Sequence, residues 1–430
     1  MEVYMKEAIS RLNKRLAGLL ATRLDQLNFE GLRDPRKGKT MWPIRKLLTT
    51  VAVGMAAGCK SLAETETLSS KFSRSTRRRL GILRRVPDTT MRDLLLALEP
   101  SEIRKLLRQL IKTALRSKQI VHHFPLRVAS LDGKGTSSWL LDGNAYPENY
   151  GQINSKTGRA TVRTITACLP FASGVPCIDA HPIPAETNEC GVFQGAVDGL
   201  LTAYGRSLFD VVLYDSGAAS LENANYLRAN ELDYVFCLTD GQPTLRAEAE
   251  RLLGRAPTET RLAQTVDRDG SERVTRSIWL TDNMKSWLDW THLQTVVRIE
   301  CVREDALLGT RTVENRYYIS SLKPQSLTAQ QWLDLIRRRW AVENECHNTF
   351  DRIFEEDKRP WVLQPRAMVV VQLLRRLVYT MLSVFRSVTQ RSDEKRQTPW
   401  KSLLGDIADM LKNLVEEAMA GVRRRNVATS

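Results

Sequence analysis

The sequence predicts an α/β protein: a mixed sheet with flanking helices, preceded by a helical region and interrupted by a β-rich insertion. Three observations lead there. Up to about residue 120 the apolar residues recur at helical spacing, and near 125 strand-like alternation takes over. Between 126 and 238, three strand segments are followed by helix, strand, helix, strand. With 430 residues, 42% of them hydrophobic, the chain can build a substantial core and divide into two or three domains.

Taken in order, helical runs fall at 6–20, 44–58, 61–70, 89–98 and 101–115, broken by DPRKGK and Pro87. LRVASLD (126–132) alternates as a strand should. TVRTITACL (161–169) and VPCIDAHPI (175–183) are joined by the short PFASG connection of a hairpin. A helix at 189–204, the strand FDVVLYD (209–215), a helix at 219–229 and the strand DYVFCL (233–238) follow. This is the element order of the ribonuclease-H-like fold. RVTRSIWLTD, TVVRIECVRE and TVENRYYISSL then alternate as strands of an insertion. Pro324 and the capping pair Thr328 and Gln331 open a long helix that Pro360 ends, and two amphipathic helices finish the chain. The expected domains are a helical, basic DNA-binding domain at 1–122, a core in two parts at 123–240 and 321–390, the insertion at 241–320, and a C-terminal helix with a basic tail at 391–430.

The formal net charge is +15, which suits a polyanionic partner, nucleic acid first. The basic residues concentrate in KFSRSTRRRLGILRR (71–85), seven in fifteen with no acid among them. Arg77, Arg78, Arg79, Arg84 and Arg85 are therefore candidate phosphate contacts. The seven cysteines include no C-x-x-C pair, which argues against a zinc knuckle or a disulfide framework and for a cytoplasmic protein. No membrane span is expected, because MVVVQLLRRLVYTMLSVF carries Arg375 and Arg376 in its middle and reads as a buried helix. GKT (38–40) has Arg33 where a P-loop needs glycine, so no nucleotide-triphosphate cradle is expected.

Asp132 and Asp215 each end an apolar strand, where side chains emerge from the sheet. Stepping about 100° per residue from Trp332 gathers Leu335, Ile336, Cys346, Phe350, Ile353 and Phe354 on one helical stripe. Arg339 and Glu343 sit in the middle of it. They could form a structural ion pair. Alternatively, Glu343 faces Asp132 and Asp215 across a site, and Arg339 is free to hold a phosphate. Three carboxylates together repel unless cations intervene. Hard oxygen ligands favour Mg²⁺ or Mn²⁺, and two such ions suit phosphoryl transfer.

These segments resemble a known family, the DDE transposases of bacterial insertion sequences, H-repeat-associated type. SLDGKG (130–135) is similar to its first acidic motif, VVLYDS (211–216) to its second, and RRRWAVENECHNTFDRIFEED to its third. ETNECGVF (186–193) resembles the Asn-Glu segment after the hairpin, and DYVFCLTDGQPTL (233–245) the strand and turn that follow. The pattern departs at Ser216, Arg339 and Asn348, where the family usually has Ala, His and Trp. The resemblance implies Asp132, Asp215 and Glu343 as catalytic, metal-binding residues. It also implies double-stranded DNA as partner, with catalysis on paired ends requiring a homodimer or higher oligomer. Lys134, Arg339 and Trp340, inside the motifs, join the candidate DNA contacts. An inactive DNA-binding descendant, or a nuclease that cuts without joining, is the alternative.

Overall fold

The computed structural model describes residues 29–37, 41–140, 150–153, 156–215, 217, 219–390 and 396–412. The helical run expected at 6–20, the GKT at 38–40 and the basic C-terminal tail lie outside them. Five helices come first: α1 (Ile44–Ala56), α2 (Leu62–Ser70), α3 (Arg74–Leu80), α4 (Asp88–Ala97) and α5 (Pro100–Arg116). Two start on serine N-caps. Ser61 accepts from the Glu64 N–H and Ser73 from the Thr76 N–H, each relieving one unpaired amide of a first turn.

The sheet follows, with β1 (Val128–Leu140), β2 (Gly151–Ile153), β3 (Arg159–Cys168) and β4 (Cys177–Ile183) before helix α6 (Glu189–Tyr204). Then come β5 (Val211–Tyr214), α7 (Leu221–Ala229), β6 (Asp233–Cys237) and α8 (Pro243–Leu253). The order β4-β3-β1-β5-β6, with β3 antiparallel to β1 and with β5 and β6 parallel, is the ribonuclease-H-like arrangement.

The stretch after β6 opens with α8, which strand alternation does not announce. It continues as β7 (Ala263–Asp269), β8 (Glu272–Thr281), β9 (Thr295–Asp305) and β10 (Thr310–Ser320). Pairing of β10 with β6 makes these four strands an extension of the same 10-stranded sheet. Helix α9 (Ala329–Arg338) opens with the capping box expected at Thr328 and Gln331. Beyond it lie a π-helical turn (Val342–His347), the short α10 (Asn348–Arg352), α11 (Pro365–Val384) and α12 (Trp400–Lys412).

Strand alternation divides the core. Val211 and Leu213 of β5 and Val128 of β1 pack on Trp332, Leu335 and Ile336 of α9. Val212, Tyr214, Ala129 and Leu131, one residue out of phase, pack on Phe193, Val197 and Leu200 of α6. A third cluster joins the N-terminal helices to α11 and α12. Residues 365–388 form the one stretch long and apolar enough to cross a membrane among the described residues, and all of it is buried inside the molecule except the half-buried Arg366, Arg386, Ser387 and Val388. It is therefore not amphipathic. Arg375 and Arg376 in its middle both lie against the buried Glu356, Arg375 at 3.6 Å and Arg376 closer.

Candidate active site

Parallel pairing of β1 with β5 ends at Ser130 opposite Leu213, and continuing that register two residues sets Asp132 level with Asp215. By the same alternation both carboxylates emerge on the α9 face. The strand expected to stop at Asp132 instead runs on to Leu140, because β3 keeps pairing with β1 after β5 has ended. From Gly133 to Ser138 its residues are glycine or polar, so no hydrophobic alternation marks the extension.

Across from these strand ends, the helix expected to run unbroken past Glu343 is interrupted. Regular α-helix stops at Arg338, a turn follows, and Val342–His347 is wound as a π-helical turn. Cys346, Phe350 and Phe354 keep the buried side that the 100° projection gave them, but Glu343, at the start of the π turn, does not. Glu343 is exposed, not buried. Arg339 is 6% exposed, and its ion pair is with Asp215 at 3.2 Å rather than with Glu343. Its guanidinium also lies over the Trp340 ring, 4.5 Å from the centroid, and its Nε has no hydrogen-bond partner among the described residues. The Ser130 hydroxyl donates to the Arg339 carbonyl at 2.7 Å, which pins the turn to β1 beside the carboxylates.

The carboxyl of Asp132 is pushed up to about 7, by burial first and then by Glu343, Glu189 and Asp215. Four carboxylates therefore share one electrostatic neighbourhood. Glu189 is the one that motif reading passed over, although it lies in ETNECGVF and opens the helix after the hairpin. His347, also missed, places Nδ1 3.4 Å from Asp132 Oδ2. Burial, with Lys134 and Arg376 nearby, lowers its pKa to about 3, so the imidazole is neutral and this contact is not an ion pair at pH 7.

Lys134, expected at the DNA, is instead a buried cation. Its ammonium lies 2.7 Å from Asp351 and 3.2 Å from Asp357 and fastens the segment after the π turn to β1. In the basic run, Arg77 donates to the carbonyls of Phe72, Ser69 and Ser70, ending α2, and so is a structural residue. Arg78, Arg79, Arg84 and Arg85 are exposed; Arg84 lies over Trp42, and Arg85 pairs with Glu66. Trp340 is half-buried between the guanidinium groups of Arg316 and Arg339. It lines a groove of about 510 Å³ with Arg276, Arg303, Arg316, Arg337 and Arg352, and Glu343 stands in the same groove.

As placed, no three metal-ligating side chains among the described residues stand close enough to enclose an ion. The donor chemistry nevertheless suits a hard divalent cation. The donors are carboxylate oxygens, and Asp132 is raised first by its burial and then by the neighbouring carboxylates, whose repulsion a cation would relieve. Arg339 on Asp215 supplies part of that positive charge now.

Residues 148–377 match the family profile described as "Transposase DDE domain". The matched stretch includes Asp215 and Glu343 and begins after Asp132. Among solved structures the chain is similar to a cryo-EM structure of a piggyBac transposase synaptic complex with hairpin DNA. That similarity has a TM-score of 0.42 at 12% identity and covers 95% of this chain and 79% of the other. A search of curated proteins finds no match.

Proposed function

The chain belongs to the transposase DDE-domain family, and from that premise we propose that it cuts DNA at the ends of an insertion sequence. The freed 3′-hydroxyl then attacks target DNA. Asp132, Asp215 and Glu343 are the carboxylates that would hold its cations, Mg²⁺ or Mn²⁺, two in number. The observation that carries this reading is the meeting of Asp132 and Asp215 at one level of adjacent strands, with Glu343 near enough to raise the Asp132 carboxyl.

When bound, divalent cations supply the positive charge that activates an attacking oxygen and stabilises a leaving one in phosphoryl transfer. The chain's own residues provide position. Strands β1 and β5 would hold two carboxylates side by side, and the turn at Arg339, fastened through Ser130, leads into the π turn that carries the third. The arginine-lined groove beside Glu343 is where the cleaved strand lies in this reading, its phosphates on guanidinium groups and Trp340 against sugar or base. Several of those arginines now pair with surface carboxylates, Arg303 with Glu272 and Arg276 and Arg337 with Asp267. Such pairs contribute about 0–1 kcal/mol each, so phosphates can displace them. The exposed arginines of 71–85 extend the contact to flanking DNA, and action on paired ends calls for a dimer or larger assembly.

The test is a cleavage and strand-transfer assay on DNA carrying the terminal repeats that flank the gene. Asp132→Asn, Asp215→Asn and Glu343→Gln should each fold and bind DNA, yet lose at least about a thousandfold in cleavage, corresponding to some 4 kcal/mol of barrier. Cleavage in excess chelator, or by Glu343→Gln, would refute the assignment. Cleavage without joining would make the protein a nuclease instead.

A further inference from the structure

We propose that Glu189 is a fourth carboxylate of the cation site, reaching it from the opposite face of the sheet through the opening left by Gly133 and Gly217. This rests on the metal-dependent reading above. Alternation along β1 assigns position 133 to the α6 face, with Ala129 and Leu131, while Asp132 points to the α9 face. The absence of a side chain at Gly133 is what admits Glu189. A Cβ there would lie 1.9 Å from Glu189 Oε1 and 2.5 Å from Oε2. At Gly217, two residues after Asp215, a Cβ would lie 3.7 Å from Oε2. The carboxylate thus straddles the gap between the two strand ends that carry Asp132 and Asp215. Neither glycine needs a left-handed backbone, so close approach is what this architecture asks of Gly133.

A merely structural role would call for a partner of opposite charge, and none is found for Glu189 among the described residues. The N-cap of α6 is already supplied by Asn188, whose Oδ1 accepts from the Gly191 N–H. The hydrogen bond it receives is a long one, from the Tyr214 hydroxyl at 3.5 Å. Among the described residues no lysine or arginine forms an ion pair with it, although it is half-buried and faces other carboxylates. The first turn of α6 offers partial positive charge, worth only about 0.3–1 kcal/mol. Unpaired repulsion of this kind is relieved by a divalent cation between the carboxylates. Arg339, buried and 3.2 Å from Asp215, is positive charge already drawn to this place.

The experiment measures Mn²⁺ affinity of the full chain by electron paramagnetic resonance of free Mn²⁺, alongside thermal melts with and without Mn²⁺. Glu189→Gln should weaken Mn²⁺ binding at least about tenfold while melting no lower than wild type without metal. Glu186→Gln, which removes the same charge three residues earlier at an exposed position, should bind as wild type. Gly133→Ala should mimic Glu189→Gln, because the added methyl expels the carboxylate. Should that variant not fold, the comparison of Glu189→Gln with Glu186→Gln decides alone. Wild-type affinity in Glu189→Gln, with binding lost in Asp132→Asn, overturns the proposal and leaves the three-carboxylate site standing. Absence of Mn²⁺ binding in the wild type, or full binding in Asp132→Asn, overturns the site and the proposal together.

Discussion

Arg339 occupies the position for which any cation must compete. Its guanidinium lies 3.2 Å from Asp215 and is itself buried, whereas Asp215 is 46% exposed. Solvent therefore screens the pair, and its loss costs at most about 1 kcal/mol. Arg339→Met should lower the metal-free melting temperature slightly and raise the stabilisation by Mn²⁺, since Asp215 loses the guanidinium 3.2 Å away. A gain of roughly 1 kcal/mol in metal-induced stabilisation corresponds to about fivefold tighter binding. Equal Mn²⁺ shifts in the two proteins would show that Arg339 does not compete for the site. At Lys134 the side chain is engaged within the fold, by Asp351 and Asp357, so substitution there should be read as a change in stability, not in DNA binding.

Helix α3 shows how one basic run divides between two tasks. Arg77 ends α2 by donating to three carbonyls, while Arg78 and Arg79 project from the same helix into solvent. Neutralising Arg78, Arg79 and Arg84 together should weaken DNA binding evenly across sequences. It should also reduce the slope of log K against log salt by up to roughly 3, about one counterion for each phosphate no longer neutralised. Arg77→Gln should instead lower the melting temperature and leave the slope as it was. If the triple variant keeps the wild-type slope, the run is only a solvated face. The π turn is the other element with a distinct task. It presents Glu343 outward to the groove, while Cys346 and His347 are buried behind it.

Over the whole molecule, the site is braced by a chain of buried charges running from the sheet to the core of the helical layer. β1 carries Lys134 and Thr136 to the segment 351–357, and Glu356 there meets Arg375 and Arg376 of the buried α11. Burial pushes the Glu356 carboxyl up, but Arg376 and Arg375 outweigh it and hold it below its usual 4.5. The folded-state value thus lies below the unfolded one. Its stabilising contribution is complete above about pH 4.5 and is lost as pH falls through the folded value. Glu356→Gln, which strands two buried guanidinium groups, should cost about 3–5 kcal/mol at pH 7. The gap from wild type should narrow in acid, which denaturant titrations from pH 7 to pH 3 would measure. A gap that stays constant over that range would rule out the ion pair as its source.

What the sequence determined by itself is local. The period of apolar residues located α1, α2, α4, α5, α6 and most of the strands, and the Thr328–Gln331 capping box marked where α9 begins. These signals depend on neighbours within a few residues, and so they can be read without the fold. Asp132 and Asp215 were legible for the same reason, each following an apolar strand whose register then set them level. Contacts between distant residues were decided only in three dimensions. The polar end of β1 becomes a strand because β3 is beside it, and Lys134 is buried because Asp351 and Asp357 arrive from more than two hundred residues away. The stripe through Arg339 and Glu343 assumed one unbroken helical phase. Arg339, before the π turn, stays buried and pairs with Asp215, whereas Glu343, within the turn, faces the groove. Glu189 comes up against β1 at Gly133 only because that residue lacks a side chain, an arrangement to which no local periodicity responds.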